Sequence, residues 1–277
     1  MQSPPLVSII TPVYNGAAYL DELIVSVRDQ GYSSIEHIII DDGSNDNGAT
    51  IAILKKYPYL RWWSRENLGQ YATMNEGLET AGGEIICFVS ADDMVLPGAV
   101  RRVIEIMQRH PEYDGIAGLT RFVDEVGAPY PIRFPFQTAP TRYYAFFSQI
   151  AHCSLYLKRA SLLKNNLFFN PSLRYVGDYD WILRILDKLN VIRIDLHLSA
   201  VRIHSAQTSV QRKHSMDTEH QLVVASLHIN PIVYKTFKGI YIIAHDWEKL
   251  RFSWANKGFD GTRQLIVDHY QRSRRPK

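Results

Sequence analysis

Cysteine is scarce in this chain: Cys87 and Cys153 are the only two among 277 residues. Each lies in an apolar run, at 85–89 and at 152–155. Two isolated cysteines do not build a disulfide framework, and free cysteine commonly behaves as a small buried hydrophobe. The scarcity excludes the disulfide-rich secreted class and favours a reducing, cytoplasmic setting.

Long apolar stretches are also missing. No run approaches the roughly 18 apolar residues that a membrane-spanning helix needs. Residues 1–5 lack the basic region and apolar stretch of a secretory signal. We therefore expect no spanning helix and no leader, and any membrane role would be peripheral.

Neither sign of charge dominates the chain. Lys and Arg number 31 against 28 Asp and Glu, a net charge of +3. Nucleic-acid partners usually require a concentrated basic face, so none is expected. The C-terminus is a local exception, with Arg272, Arg274, Arg275 and Lys277 close together. This tail is typical of a solvated terminus; the alternative is weak attraction to an anionic surface on the inner face of a membrane.

Two glycine motifs of nucleotide enzymes are absent. A dinucleotide-binding dehydrogenase would carry Gly-x-Gly-x-x-Gly after its first strand, and a P-loop kinase Gly-x-x-x-x-Gly-Lys-Ser/Thr. Residues 14–18 instead read Tyr-Asn-Gly-Ala-Ala. Both enzyme classes are excluded.

What the first half contains is a repeated alternation of strand and helix patterns. Short apolar runs predict strands at 6–10, 37–40, 59–63 and 84–90. Helices are predicted at 49–56, at 71–81 and on two apolar stripes: Leu20, Leu23, Ile24 and Val27, then Val100, Val103, Ile104 and Met107 after Pro97. Such alternation predicts an α/β fold, a mostly parallel sheet flanked by helices.

The second half is more varied. Four prolines within 128–142 predict a long ordered loop. A strand at 151–157, a helix at 178–189, a half-exposed strand at 192–200 and a mostly helical stretch after 206 follow. We expect one domain over 1–205, with a nucleotide-binding half at about 1–95 and an acceptor half at about 96–205, and an extension over 206–277.

Two acidic pairs follow predicted strands. Asp41 and Asp42 end the second strand, and Asp92 and Asp93 follow the fourth. Ligands of open α/β sheets bind at the carboxyl ends of the strands, so both pairs should meet at one edge. Crowded carboxylates repel unless a cation lies between them, and a divalent ion carrying a diphosphate fits that need. The alternative for either pair alone is a helix N-cap.

The ordered motifs resemble family 2 glycosyltransferases with the GT-A fold, a Rossmann-like α/β architecture. The matching segments, in order, are Pro12 to Gly16, Asp41 to Ser44, Glu66 to Gly69 with Asn75 and Gly77, Ala91 to Asp93, Gly177 to Arg184, and Arg202 to Ser205 with Ser209. Each motif alone is weak, whereas the ordered set spans about residues 6 to 210. The family usually carries Glu where Gly177 stands.

The resemblance implies a role for each matching position. Asp42 would accept a hydrogen bond from the nucleotide base, in a pocket lined by Pro12 and Tyr14. Asp92 would lie near the ribose or sugar. Asp93 would bind a divalent metal, Mn²⁺ or Mg²⁺, with His204 as a further ligand. A histidine that is merely buried and hydrogen-bonded is the alternative for His204.

The resemblance also implies that Asp178 is the general base of an inverting transfer. A carboxylate that removes the proton of an acceptor hydroxyl accelerates reaction by about 10²–10⁴. Asp180 is a second candidate, and an N-cap is the structural alternative for Asp178. The donor would be a UDP-, GDP- or dTDP-linked sugar and the acceptor a saccharide or lipid-linked hydroxyl, in polysaccharide or glycoconjugate assembly.

Two other functions stay open. A sugar-phosphate nucleotidyltransferase shares a similar fold, but would carry a glycine-rich basic loop after strand one, which residues 12–16 do not provide. An inactive binding or scaffold relative would keep the fold alone. Retention of Asp42, Asp92, Asp93, Asp178 and His204 argues against it.

Overall fold

A computed structural model describes residues 3–130, 150–207 and 213–226, together with the single helical positions Ile232, Thr236, Gly239, Ile240, Ile243 and Trp247. Most of the proline-rich segment and most of the region after 226 lie outside the described residues, so the long loop predicted at 128–142 and most of the helical extension stay predictions.

Strands and helices alternate through the first half, as predicted. The strands are β1 (Val7–Val13), β2 (Ile35–Asp41), β3 (Arg61–Ser64), β4 (Ile85–Phe88), β5 (Met94–Val95), β6 (Gly115–Val123), β7 (Leu155–Lys158) and β8 (Val191–Arg202). The helices are α1 (Leu20–Arg28), α2 (Ala49–Leu54), α3 (Gln70–Thr80), α4 (Ala99–Arg109), α5 (Arg159–Lys164), α6 (Gly177–Lys188) and α7 (Lys213–Ser226).

The described strands form one mixed sheet in the order β3-β2-β1-β4-β7-β6-β8-β5. The first four lie parallel to one another, and β6 lies parallel to β8. Strand β7 is antiparallel to β4 and β6, and β5 is antiparallel to β8. The predicted α/β class, with a mostly parallel sheet, is confirmed.

The two predicted apolar stripes form helices that cover this sheet. The stripe of α1 and the stripe of α4 are both buried in the same core as the side chains of β1 and β4. Strand β1 itself is buried over its whole length, through Thr11 and Pro12, three residues beyond the predicted end. Burial of apolar area at this interface is the main stabilising contribution to the domain.

Residues 110–127 carried no strand prediction, yet they contain β6. The glycines of β6 interrupt its apolar pattern, and the structure explains why one of these positions must be glycine. A Cβ atom on Gly115 would meet the Tyr156 carbonyl oxygen at 2.5 Å. The close approach of β7 therefore requires glycine there. The strand predicted at 151–157 is wrong in its first half, because His152–Ser154 form a 3₁₀ turn and the strand begins at Leu155.

The backbone divides into two units, Met1–Pro129 with Ile150–Leu227, and Tyr130–Gln149 with His228–Lys277. Helix α7 belongs to the first unit, where Val223 packs with Val176 and Tyr179, which lie in the predicted acceptor half. The boundary predicted at 205 stays a prediction. Among the described positions no helix combines the length and apolar character needed to cross a membrane.

Candidate active site

The loops after β1, β2 and β4 meet at one edge of the sheet. The N–H of Asp42 donates to the Val13 carbonyl (2.8 Å), and the N–H of Asn15 donates to the Ser44 hydroxyl (2.8 Å). A Cβ atom on Gly16 would lie 3.2 Å from the Ala91 methyl group, so the β1 and β4 loops are in contact. Both acidic pairs therefore lie at the edge where the parallel strands end.

The first acidic pair organises its own loop. The Asp41 carboxylate is buried and accepts from the Ser64 hydroxyl at 2.5 Å and from the N–H of Ser44. Gly43 turns the chain at φ +74°, and a Cβ there would meet the Asn67 nitrogen at 2.9 Å. Glycine is required both for this left-handed backbone and for the approach of residues 65–67.

Asp42 lies at 3% exposure and holds the 65–69 segment. Its carboxylate accepts from the N–H groups of Leu68 (2.8 Å) and Gly69 (2.9 Å) and pairs with Arg65. Its predicted contact with a nucleotide base stays a prediction. Of the residues predicted to line that pocket, Pro12 is buried within β1, whereas Tyr14 is 48% exposed at its end.

The two members of the second acidic pair have different surroundings. The Asp92 side chain is 26% exposed and its Oδ2 lies 3.0 Å from His204 Nε2. Asp93 is 4% exposed, and its Oδ1 accepts from the Arg202 N–H at 3.2 Å. Burial, and then the neighbouring Asp92 charge, raises the pKa of Asp93 well above its ordinary value. The predicted metal role of Asp93 stays a prediction, and its burial favours Asp92 instead.

Arg202 joins these parts and was named in the sequence only as a motif member. It is 1% exposed, its Nη2 lies 2.5 Å from Glu22 Oε2, and its guanidinium lies over the Tyr19 ring at 4.5 Å. The same side chain donates to the Asp92 carbonyl oxygen (3.3 Å). Because its buried guanidinium is paired on several sides, Arg202 fixes the loop that carries Asp92 and Asp93.

Asp178, the predicted base, stands in the first turn of α6 with its side chain 34% exposed. The Tyr71 hydroxyl donates to Oδ1 at 3.3 Å, and His152 Nδ1 lies 3.7 Å from Oδ2. Burial alone would raise the pKa of Asp178, but His152, the Tyr179 N–H and the Tyr71 hydroxyl together hold this pKa below its ordinary value. The carboxylate is therefore ionised at neutral pH, as a base must be.

His152 links this carboxylate to the loop after β4, residues 90–93, which is the predicted donor loop. Its Nε2 lies 3.1 Å from the Ser90 hydroxyl, two positions before Asp92. Sequence reasoning missed His152 because it sits in an apolar run, and only the fold places it between β4 and α6.

Asp180, the second candidate base, is already paired. Its Oδ2 accepts from Arg184 at 2.9 Å and 2.7 Å, and Arg184 also donates to the Phe168 carbonyl oxygen. The oxygen that Arg184 occupies is not open to an acceptor hydroxyl, and a base must lie within hydrogen-bond reach of the proton that it removes. The geometry therefore favours Asp178.

No group of three or more His, Cys, Asp or Glu side chains converges as a metal site within the part of the chain that the structure describes. The Asp92–His204 pair nevertheless fits a cation that is bound jointly with a diphosphate, because such ions take one or two protein ligands and complete their shell with phosphate oxygens and water. A cavity of about 530 Å³ lies at the opposite edge of the sheet, near Gly83 and Ile85, and contains none of these residues.

A family model described as glycosyl transferase family 2 matches residues 8–162. The chain belongs to this family. Among curated relatives, an uncharacterized glycosyltransferase of Rickettsia felis is 32% identical over 213 residues, covering 74% of this chain. The match covers 35% of that relative, so the chain spans about a third of its length.

Solved structures share the glycosyltransferase fold. S. aureus TarS 1-349 in complex with UDP-GlcNAc matches with a TM-score of 0.64 and 19% identity, covering 91% of this chain and 74% of that one. The mannosyltransferase PcManGT of Pyrobaculum calidifontis, in complex with GDP-Man and Mn2+, matches with a TM-score of 0.61 and 16% identity, covering 98% and 81%. The GT-A-type architecture is thereby confirmed.

Two of the family motif residues are structural in this glycosyltransferase chain. Asn75 exchanges hydrogen bonds with the Phe169 backbone, donating to its carbonyl oxygen (2.9 Å) and accepting from its N–H (2.8 Å). Gly77 packs α3 directly against the Ile10 side chain. These residues fix the frame on which Tyr71 and Asp178 meet.

Proposed function

We propose that the chain is a metal-dependent inverting glycosyltransferase that moves a sugar from a nucleoside diphosphate to an acceptor hydroxyl. One observation carries the proposal: the His152 ring lies between the Asp178 carboxylate and Ser90, in the loop that also holds Asp92. This reaction needs a base beside the acceptor hydroxyl and acidic residues beside the diphosphate, and the proposal places both at the same edge of the sheet.

In this reaction the acceptor oxygen forms a bond to the anomeric carbon as the bond from that carbon to the diphosphate oxygen breaks. The acceptor proton passes to Asp178, and the bonding electron pair leaves on the diphosphate. Attack on the face opposite the leaving group inverts the anomeric centre; family resemblance supports this part.

Asp92 and His204 are the residues that would hold a divalent cation, Mn²⁺ or Mg²⁺. When bound, such an ion supplies several kcal/mol of stabilisation for charge on the leaving oxygen. We assign the phosphate-facing role to Asp92 because its carboxylate is part-exposed and lies 3.0 Å from His204, whereas Asp93 is enclosed.

The donor is a nucleoside-diphosphate sugar. The bound ligands named for the two similar structures, UDP-GlcNAc and GDP-Man, support this class at the level of the fold. A saccharide or lipid-linked acceptor, in polysaccharide or glycoconjugate assembly, completes the proposal, and a cytoplasmic setting stays a prediction.

The test is a donor panel of UDP-GlcNAc, UDP-glucose, UDP-galactose, GDP-mannose and dTDP-glucose, with and without Mn²⁺, read out as nucleoside diphosphate released. Asp178→Asn should bind nucleotide in a thermal-shift titration and lose turnover by about 10²–10⁴. Asp187→Asn, an exposed aspartate on the same helix, is the matched control and should keep full turnover.

Three results would contradict the proposal. Free diphosphate released from a nucleoside triphosphate and a sugar phosphate would indicate a nucleotidyltransferase. Absence of any metal-dependent stabilisation by UDP or GDP would indicate an inactive scaffold. Near wild-type turnover of Asp178→Asn would show that a group other than Asp178 is the base.

A further inference from the structure

The ring of His152 is buried between the donor loop and the base-bearing helix. The residue is 8% exposed and lies in the 3₁₀ turn before β7. Ser90 follows β4 on one side of the ring, and Asp178 begins α6 on the other. Ser90 and His152 are 62 positions apart and belong to different halves of the predicted domain, whereas Asp178 lies in the same half as His152.

Each ring nitrogen has one of these partners. The tautomer with hydrogen on Nδ1 satisfies both: the Ser90 hydroxyl donates to Nε2, and Nδ1–H points at the Asp178 carboxylate. The separation of 3.7 Å exceeds an ordinary hydrogen bond. Catalytic hydrogen bonds are often long before substrate binds and tighten in the reacting complex.

We propose that His152 is a positioning residue, which holds the Asp178 carboxylate in its acceptor-facing orientation and ties that orientation to the donor loop through Ser90. This inference rests on the proposed function. It adds a residue outside the roles that the family resemblance implies, and it gives the two halves of the site a direct mechanical connection.

The other groups that face Asp178 do not duplicate this role. Tyr71, from α3, is a hydroxyl donor to the other carboxylate oxygen, and burial followed by the Asp178 charge raises its pKa well above the ordinary value, so it stays protonated. The Tyr179 N–H donates to Oδ1 at 2.9 Å. On α6, Asp180 is occupied by Arg184. Among the residues that the structure describes, Oδ2 therefore has His152 as its neighbouring ring nitrogen donor.

The main variant is His152→Phe, which keeps a ring and removes both nitrogens. It should lower kcat by about 10²-fold, as misplacement of a reacting group does, and leave the KM for the donor unchanged. Without the His152 N–H, which favours the ionised carboxylate, the pKa of Asp178 should rise. The acid limb of the pH profile of kcat should therefore move to higher pH. His152→Ala, assayed with added imidazole, should recover turnover as imidazole fills the vacated space.

His110→Phe is the matched control, because His110 also faces a carboxylate, Glu112 at 3.3 Å, but at the surface. It should keep the wild-type pH profile. A folded His152→Phe or His152→Ala protein with unmoved kcat and acid limb, or with a raised KM alone, overturns the inference. A wild-type protein that releases no nucleoside diphosphate from any donor of the panel would instead overturn the proposed function.

Discussion

The ring of Tyr71 lies directly against the α-carbon of Gly177. A Cβ atom on Gly177 would meet ring carbons of Tyr71 at 2.6 Å, a separation that side chains do not tolerate. The family usually has Glu at this position, so the departure has a local cause: the glycine admits the tyrosine ring, whose hydroxyl reaches Asp178. Glycine at position 177 is therefore part of how this chain positions Asp178, the proposed base.

Gly177→Ala should displace Tyr71 and impair both folding and catalysis. Overpacking of this kind costs about 1–3 kcal/mol, measured by chemical denaturation. The double variant Gly177→Ala/Tyr71→Leu should recover stability but not kcat, because the hydroxyl donor to Asp178 is gone. Gly82→Ala, whose Cβ would be 3.4 Å from its nearest neighbour, is the control and should be neutral. Unchanged stability of Gly177→Ala would contradict the packing argument.

Asp92→Asn and Asp93→Asn should separate the two acids of the second pair. Asp92→Asn should remove the Mn²⁺-dependent part of the thermal shift produced by UDP or GDP, because it alters the part-exposed carboxylate beside His204. Asp93→Asn keeps the shape of an enclosed side chain that accepts from the Arg202 N–H, and should retain that shift. The reverse pattern in the titration would restore Asp93 as the metal ligand.

His37 should make the protein sensitive to acid. Its ring is buried in β2 with Nε2 3.1 Å from the Thr11 hydroxyl, and burial lowers the pKa of His37 from 6.5 to about 3. Because the folded-state pKa is the lower one, only the unfolded state takes up this proton between those values. The contribution of the neutral His37 ring to the free energy of unfolding is complete above pH 6.5 and is lost as pH falls toward about 3.

The measurement is the free energy of unfolding as a function of pH. In wild type, His37 should add up to about 1.4 kcal/mol of lost stability per pH unit within that window. His37→Leu should show a shallower decline, whatever its stability at neutral pH. The exposed His110→Leu should follow wild type. Parallel curves for wild type and His37→Leu would count against the argument.

Glu219 should anchor helix α7 to the start of α6. Its carboxylate accepts from three consecutive N–H groups, those of Arg174 (2.7 Å), Tyr175 (2.6 Å) and Val176 (2.8 Å), just before the turn that carries Asp178. Glu219→Gln replaces one acceptor oxygen with a donor and should cost about 1–3 kcal/mol. Hydrogen exchange at these three amides should accelerate, whereas the exposed Asp217→Asn on the same helix should leave it unchanged.

Much of the fold could be predicted because its signals are local. Helices α1 and α4 bury one face each, which requires an apolar stripe at helical spacing. Strands β1 and β2 are buried on both faces, which requires a continuous apolar run. The sequence of β6 shows no such pattern. Gly115 is required by the close approach of Tyr156 and Leu157, which are far away in the sequence.

The sequence by itself determined the α/β class, the order of the motifs and the carboxylates at the ends of β2 and β4, since strand ends and turn residues are encoded by adjacent positions. Tertiary structure alone decided which acid of the second pair is enclosed, which of Asp178 and Asp180 is left unpaired by arginine, and that His152 stands between Ser90 and Asp178. Burial and electrostatic surroundings depend on residues far apart in the chain, and these are brought together only when the sheet and its helices pack.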